Sequence, residues 1–174
     1  AVVLAGRPNR GALSNETAAY EALIDVAGKP MLTWVLQALI GATQVGSIAV
    51  VAPRAVAESL GLEGVIWVEA GDSLAENVRR GAAAMPRATS LLMVSGDIPL
   101  LRSEMVDDFV QRAESSGGAI VYPIIERKVC EEKYPLVRRT YVTLKEGTFT
   151  GGNMVFLRSE ALPPALQLLQ KAYE

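Results

Sequence analysis

The sequence predicts an α/β fold: a three-layer, doubly wound architecture with helices on both faces of a mostly parallel, mixed sheet. Short aliphatic and β-branched runs alternate with segments whose apolar residues recur at helical spacing. The strand candidates are continuously apolar, which is typical of parallel strands buried on both faces. The alternation of strand, helix and strand at this cadence indicates a parallel sheet covered on both sides.

Each element follows from its own pattern. The strand candidates are the apolar runs at 1–4, 47–52, 65–68, 90–95 and 119–122. Helices are predicted at 30–40, 73–85 and 103–115, and Ser73 and Glu76 have capping-box spacing at the second. After residue 122 the alternation breaks. There we find a charged stretch at 125–134, a hairpin pattern at 140–150, a strand at 153–157 and a final helix after 159.

Length and composition exclude several classes of protein. The 174 residues amount to about one domain at roughly 150 residues each, and no linker or repeat divides them. The net charge of −2 argues against bulk attraction to nucleic acid or anionic membrane. There is no histidine, which excludes Ser-His-Asp and Cys-His catalysis and His-ligated zinc. Acid, base or metal chemistry therefore falls to carboxylates, lysines and amides.

The cysteine content and the chain ends lead to further expectations. Cys130 is the only cysteine, so no disulfide forms within the chain and a reducing cytoplasm is expected. No apolar stretch approaches the ~20 residues needed to span a bilayer, and no signal peptide is recognisable. The sequence lacks a starting Met and stops within a predicted helix, so we expect one domain over 1–174 that is truncated at its C-terminus.

A glycine-containing loop with two arginines follows the first strand. It reads LAGRPNRG at residues 4–11. Ligands of open parallel sheets bind beyond the carboxyl ends of the strands, and backbone N–H groups beside arginines can cradle phosphates. The Walker and dinucleotide-binding spellings are both absent. A plain strand-to-loop turn is an equally good interpretation of this segment alone.

Two more segments stand just past strands. Gly71 precedes the helix that carries Ser73 and Asn77 one turn apart, and such a helix start favours an anion or a base edge, although simple capping explains the segment better by itself. Asp97 stands between Gly96 and a turn that contains Pro99. A carboxylate presented in this way suits Mg²⁺. A turn aspartate that bonds its own backbone is the weaker alternative.

Together with GKPML at residues 28–32, these segments resemble the motifs of nucleotidyltransferases that have the nucleotide-diphospho-sugar transferase (GT-A-like) fold. The molybdenum-cofactor guanylyltransferase-like NTP transferase group is the most similar in motif order. LAG at 4–6 and GKPML match the opening of that group, the segment 95–101 matches its metal-binding aspartate motif, and TGGN at 150–153 matches its later glycine–asparagine element. The resemblance extends from residue 1 to about residue 162.

The resemblance implies an Mg²⁺-dependent nucleotidyltransferase that moves an NMP from CTP or GTP to a phosphorylated small-molecule acceptor and releases pyrophosphate. Residues 1–101 would form the nucleotide-binding half and residues 102–174 the acceptor-binding half. Catalytic roles are implied for Arg10, Lys29 and Asp97. Nucleotide binding is implied for Leu4, Ala5, Gly6, Arg7, Gly71, Ser73 and Asn77. Mg²⁺ would be held by Asp97 and Asn153. Acceptor binding is assigned to Arg138 and Arg139, for which a solvated charged surface is an equal alternative.

Two departures from the family pattern keep a second hypothesis open. Arg7 stands where the family has a second glycine, and Glu21 stands where it has a lysine. A carboxylate there would repel nucleotide phosphates. Either Arg7 or Arg10 supplies the missing charge, or the protein is a non-catalytic nucleotide-binding or regulatory relative.

A sugar transferase is disfavoured because the chain has no Asp-x-Asp. Expected partners are an NTP and the acceptor, without nucleic acid or membrane, and a homo-oligomer is compatible with the sequence.

Overall fold

A computed structural model of the chain describes residues 1–10, 17–61 and 63–173, with side chains as far as residue 171. The strands are β1 Val2–Leu4, β2 Asp25–Val26, β3 Lys29–Pro30, β4 Ala49–Ala52, β5 Ile66–Glu69, β6 Ser90–Ser95, β7 Ile120–Val121, β8 Ile124–Glu126, β9 Val142–Leu144, β10 Gly147–Gly151 and β11 Met154–Arg158. The helices are α1 Met31–Gly41, α2 Arg54–Leu60, α3 Leu74–Ala83, α4 Ser103–Ser115, α5 Arg127–Lys133 and α6 Leu162–Tyr173. Short 3₁₀ turns occupy Glu21–Leu23 and Ser159–Ala161.

Six strands form the central sheet in the order β5-β4-β1-β6-β11-β7. The first four of these run parallel, and β11 is antiparallel to both of its neighbours. The mostly parallel, mixed sheet predicted from the sequence is therefore confirmed. Because β1 lies between β4 and β6, the loops that follow these three strands emerge side by side at the carboxyl edge of the sheet.

Helices cover both faces of this sheet and complete three layers. On one side, α1, α2 and α4 enclose a core that includes Leu32, Val35, Val50, Val56 and Val106. On the other side, α3 and α6 enclose a core that includes Val2, Val51, Val78, Leu91 and Leu157. The central strands are buried on both faces, as their continuous apolarity predicts. No helix in the described part of the chain is long and apolar enough to cross a membrane.

Several elements differ from the sequence-based expectation, among them the short strands β2, β3 and β8, which were not predicted. The predicted strand at 65–68 is the edge strand β5, whose Ile66 is 46% exposed, so its apolar run does not reflect burial on both faces. The short helix α2 was not predicted because seven residues show little periodicity; it starts after Pro53 and ends at Gly61 in the left-handed region. The charged stretch contains α5, which buries only Cys130.

The second half of the chain adds a three-stranded sheet, ordered β8-β10-β9, above the carboxyl edge. The chain leaves the main sheet at the end of β7 and returns to it at the start of β11, so the excursion starts and finishes at that edge. Strands β9 and β10 form the predicted hairpin, with Gly147 opposite Leu144. Both halves of the chain thus contribute strands to one central sheet.

Candidate active site

The loops that follow β1 and β6 meet at the carboxyl edge. Leu4 lies opposite Ser95 in the parallel register, and the N–H of Gly96 donates to the carbonyl oxygen of Leu4 over 2.9 Å. On the other side of β1, the N–H of Ala5 donates to the carbonyl oxygen of Val51 over 2.9 Å. Backbone hydrogen bonds thus hold the start of the loop 4–7 between its neighbours.

Gly96 allows these two loops to approach closely. A Cβ at this position would lie 2.9 Å from the Cβ of Ala5 and 3.2 Å from the carbonyl oxygen of Leu4. Real Cβ atoms avoid such distances in a close-packed interior. Glycine at position 96 therefore brings Asp97 next to the loop 4–7.

Three charged side chains meet at this junction. The guanidinium of Arg7 lies between two carboxylates: its Nε is 3.4 Å from Oε1 of Glu21, and its Nη1 is 3.9 Å from Oδ2 of Asp97. The other carboxylate oxygen of Asp97 accepts a hydrogen bond from Oγ of Ser95. The junction thus combines one basic and two acidic side chains.

Burial separates the roles of the two carboxylates. The side chain of Glu21 is 15% exposed, that of Asp97 is 30% exposed and that of Arg7 is 72% exposed. Burial raises the pKa of Glu21 above its ordinary value, the neighbouring Arg7 guanidinium opposes this increase, and the charge of Asp97 adds to it. Glu21 is thus the inner partner of Arg7, and Asp97 is the more accessible of the two carboxylates.

A small cavity of about 60 Å³ lies among these groups. Its lining consists of Leu4, Ala5, Arg7, Glu21, Ala22, Ser95, Gly96 and Asp97. A larger cavity, of about 450 Å³, lies at the amino ends of the strands and is lined in part by Ser47 and Ser90. Because parallel sheets bind ligands at their carboxyl edge, the small cavity marks the candidate active site.

The local backbone places Glu21 beside Arg7. The N–H of Glu21 donates to the carbonyl oxygen of Arg7 over 3.1 Å, and Pro8 bridges to Tyr20. The side-chain amide of Asn9 donates to the carbonyl oxygen of Ala18 over 3.1 Å. These bonds fasten the two ends of the loop together. Gly11 of the predicted phosphate loop lies outside the described residues.

The predicted segment at 71–77 folds as one compact turn next to the loop 4–7. The N–H of Gly71 donates to Oδ1 of Asn77 over 2.6 Å, and the N–H of Glu76 donates to Oγ of Ser73 over 3.2 Å. Ser73 is thus the N-cap of α3, and Asn77 holds the turn closed. A Cβ on Gly6 would lie 3.4 Å from that of Ala70, so the first and second loops are in contact.

Asn153 lies at the carboxyl edge, immediately before the antiparallel strand β11. Its carbonyl oxygen accepts the N–H of Ser95 over 3.0 Å, which places residue 153 beside the end of β6, and its side chain is exposed. Among the described residues there is no group of three or more His, Cys, Asp and Glu that could hold a metal. Mg²⁺ needs only one or two carboxylates when water and substrate phosphates complete its shell. The carboxylate of Asp97 fits that requirement, and coordination by the side chain of Asn153 stays a prediction.

Besides Gly6, the turn at 71–77 and Asn153, four more predicted residues lie outside the lining of this cavity. The ammonium of Lys29 lies 4.7 Å from the centre of the Trp34 ring. Arg10 is exposed next to the undescribed segment 11–16, and Arg138 and Arg139 are exposed in the connection between α5 and β9. Their proposed contacts with ligand stay predictions.

The whole chain, residues 1–174, matches the family model of the MobA-like NTP transferase domain. The chain belongs to the MobA-like NTP transferase family. This membership confirms the resemblance found in the motifs. The MobA-like chain is also 28% identical over 149 residues to 2-C-methyl-D-erythritol 4-phosphate cytidylyltransferase of Gloeobacter violaceus, a match that covers 80% of this chain and 62% of that protein. A second cytidylyltransferase of that name, from Parasynechococcus marenigrum, is 28% identical over 105 residues, and 46% of its length is covered.

Solved structures show the same fold. A hypothetical transferase from Thermus thermophilus superposes with a TM-score of 0.79 at 30% identity, covering 98% of this chain and 70% of that one. A 4-diphosphocytidyl-2C-methyl-D-erythritol synthase from Anaerococcus prevotii superposes with a TM-score of 0.68 at 12% identity, covering 99% of this chain and 73% of that one. The MobA-like chain thus has the predicted nucleotide-diphospho-sugar transferase fold, and it spans about half to three fifths of the length of the curated relatives.

Two features of the site were missed in the sequence. In the sequence, Gly96 was noted only as the residue that precedes Asp97. Its lack of a side chain is what allows the close approach to Leu4. The pairing of Arg7 with Glu21 was also missed. Its signal was present, because the two departures from the family pattern have opposite charges.

Proposed function

We propose that this MobA-like chain is a nucleotidyltransferase that moves an NMP from CTP or GTP to a phosphorylated small-molecule acceptor. The observation that carries the proposal is the junction at which Gly96 presents Asp97 beside the loop 4–7. The names of the relatives support the substrate classes, since they describe cytidylyltransferases of a sugar-alcohol phosphate.

The loop 4–7 is suited to the triphosphate. A Cβ at Gly6 would make ordinary contacts, 3.4 Å from Ala70 and 3.6 Å from Pro53, so packing does not require glycine there. The missing side chain instead leaves the backbone open to a phosphate. The base would then lie toward the neighbouring turn at 71–77, where Ser73 and Asn77 are predicted to contact it.

Asp97 and Asn153 would hold Mg²⁺ beside the phosphates. When bound, this ion neutralises phosphate charge and polarises the α-phosphate. Asp97 would be oriented by its hydrogen bond from Ser95. Arg7 would supply a positive charge that remains at the site whether or not the ion is present.

The transfer requires little from the side chains beyond positioning and charge neutralisation. A phosphate oxygen of the acceptor attacks the α-phosphorus of the NTP and forms a new P–O bond. The bond from the α-phosphorus to the oxygen that bridges to the β-phosphate breaks, and pyrophosphate leaves with that electron pair. An acceptor phosphate is largely deprotonated at pH 7, so no general base is needed. This accords with a chain that has no histidine.

The acceptor would enter beneath the second sheet. The β8-β10-β9 sheet rises from the carboxyl edge that carries Asp97, and the connection from α5 to β9 contains Arg138 and Arg139. Two guanidinium groups there would attract an anionic acceptor.

Pyrophosphate release tests this function. The protein is incubated with Mg²⁺, each of the four NTPs and a panel of phosphorylated sugars and sugar alcohols. We expect release with CTP or GTP in the presence of one acceptor class. Nucleotide binding without release for every acceptor would support the non-catalytic alternative, and the absence of both binding and release would contradict the proposal.

A further inference from the structure

Arg7 and Glu21 form an ion pair whose partners differ greatly in exposure. The carboxylate of Glu21 is the inner group at 15% exposure, and the guanidinium of Arg7 is the outer group at 72%. A buried carboxylate is costly unless it is paired. Glu21 therefore holds one side of the guanidinium, at Nε, and leaves its other side directed toward Asp97.

The guanidinium retains donors beyond these two contacts. Arginine has five N–H donors in a planar fork that suits phosphate oxygens. The contact to Asp97, at 3.9 Å, is longer than a hydrogen bond. The exposed edge of Arg7 can thus bind an incoming anion while Glu21 keeps its inner edge in place.

We propose that Glu21 is a positioning residue that holds the Arg7 guanidinium beside Asp97, where it binds the nucleotide phosphates. The inference rests on the proposed function. The acidic residue at position 21 then contributes to nucleotide binding through Arg7.

The opposing account is simple repulsion between the Glu21 carboxylate and the phosphates. The two accounts predict opposite signs for Glu21→Gln. If Glu21 positions Arg7, neutralising it releases the guanidinium and weakens nucleotide binding. If Glu21 only repels phosphate, neutralising it strengthens binding.

A double-mutant cycle separates the two accounts. Binding of CTP and of GTP, each with Mg²⁺, is measured by titration calorimetry for the unmodified protein, Arg7→Ala, Glu21→Gln and the double variant. We expect each single variant to bind roughly tenfold more weakly. In the Arg7→Ala background, Glu21→Gln should increase the affinity for nucleotide. Without the guanidinium, the only remaining effect of the Glu21 carboxylate is its repulsion of the phosphates. A gain from Glu21→Gln while Arg7 is present, or losses that multiply in the double variant, would overturn the inference.

Controls distinguish positioning from folding. Asp108→Asn removes a carboxylate 2.8 Å from the exposed Arg112 on α4, outside the site, and should leave nucleotide binding unchanged. Melting temperatures establish that each variant is folded. If Glu21→Gln does not fold, Glu21→Asp keeps the charge but shortens the side chain, and an unchanged nucleotide affinity in that variant would overturn the positioning role of Glu21.

If the unmodified protein binds neither nucleotide, the proposed function fails with the inference. If it binds and Glu21→Gln binds as tightly, the inference alone fails.

Discussion

The N–H of Gly96 donates to the carbonyl oxygen of Leu4, and a Cβ on Gly96 would approach that oxygen to 3.2 Å. The hydrogen bond and the missing side chain are two aspects of one junction. It joins the strand that carries the glycine loop to the strand that presents Asp97. The geometry of the site therefore depends on the lack of a side chain at position 96.

Gly96→Ala should disrupt this junction. The added methyl forces the loops after β1 and β6 apart, so we expect a loss of stability of about 1–3 kcal/mol and a larger relative loss of nucleotide binding. Chemical denaturation and calorimetric titration measure the two effects. The matched control is Gly46→Ala, since a Cβ there has nothing within 4 Å and should leave both properties nearly unchanged. Equal behaviour of the two variants would show that the close approach is unimportant.

Gly6→Ala should separate stability from binding. A Cβ at position 6 would make only ordinary contacts with Ala70 and Pro53, so the melting temperature should stay within error. The same methyl would lie where a phosphate is proposed to approach the backbone, so nucleotide affinity should fall roughly tenfold or more. Unchanged affinity would contradict the proposal that the triphosphate binds at the loop 4–7.

Asp97→Asn should abolish Mg²⁺-dependent pyrophosphate release while the protein stays folded. The amide loses the negative charge that attracts the ion but can still accept from Ser95. Pyrophosphate release is compared at increasing Mg²⁺, with circular dichroism as the check on folding. Turnover equal to that of the unmodified protein would exclude Asp97 as the metal ligand.

The site residues differ in how readily the sequence predicts them. Asp97 and the loop 4–7 could be predicted together because the carboxyl ends of neighbouring parallel strands meet at one edge. The capping role of Ser73 was also readable, since it depends on spacing within one helix turn. Sequence alone favoured this capping role over contact with a nucleotide base. The hydrogen bond that the Ser73 hydroxyl accepts from the N–H of Glu76 agrees with it.

Contacts that depend on loop closure could not be predicted in this way. Arg7 meets Glu21 only because the chain between them returns through the bridge of Pro8 with Tyr20. The helix α5 escaped prediction for a different reason. Its regularity lies in charges four residues apart, such as Arg127 with Glu131 at 2.6 Å, and the surrounding sequence has no apolar spacing to reveal it.

Asp107 provides a prediction about pH that is independent of the site. Its carboxylate accepts from the N–H of Gln44 at 2.9 Å and from the N–H and hydroxyl of Thr43 at 3.1 Å, which ties α4 to the turn after α1. The hydrogen bond from Gln44 has the largest effect and lowers the pKa of Asp107. Desolvation opposes it, and the two hydrogen bonds from Thr43 add to the lowering, so the pKa lies below its ordinary value. The stabilisation is therefore present above the unfolded-state pKa of about 3.9 and is lost as the pH falls through the lower folded-state value.

Asp107→Asn should accordingly lower the melting temperature at pH 7. The difference from the unmodified protein should shrink as the pH falls below about 4, because the unmodified protein then loses the same charge. Thermal unfolding followed from pH 7 to pH 3 gives both curves. A difference that stays constant over this range would mean that the charge of Asp107 does not stabilise the fold.

Nucleotide binding in the presence and absence of Mg²⁺ tests the central claim most directly, because it requires no knowledge of the acceptor. Thermal unfolding is measured with each of the four NTPs, with and without Mg²⁺, for the unmodified protein and for Asp97→Asn. A nucleotide present at 100 times its Kd should stabilise the protein by about 2.7 kcal/mol. We predict this shift for CTP or GTP with Mg²⁺, and its loss without the ion or in Asp97→Asn. No shift with any nucleotide, or the same shift in Asp97→Asn, would contradict the account.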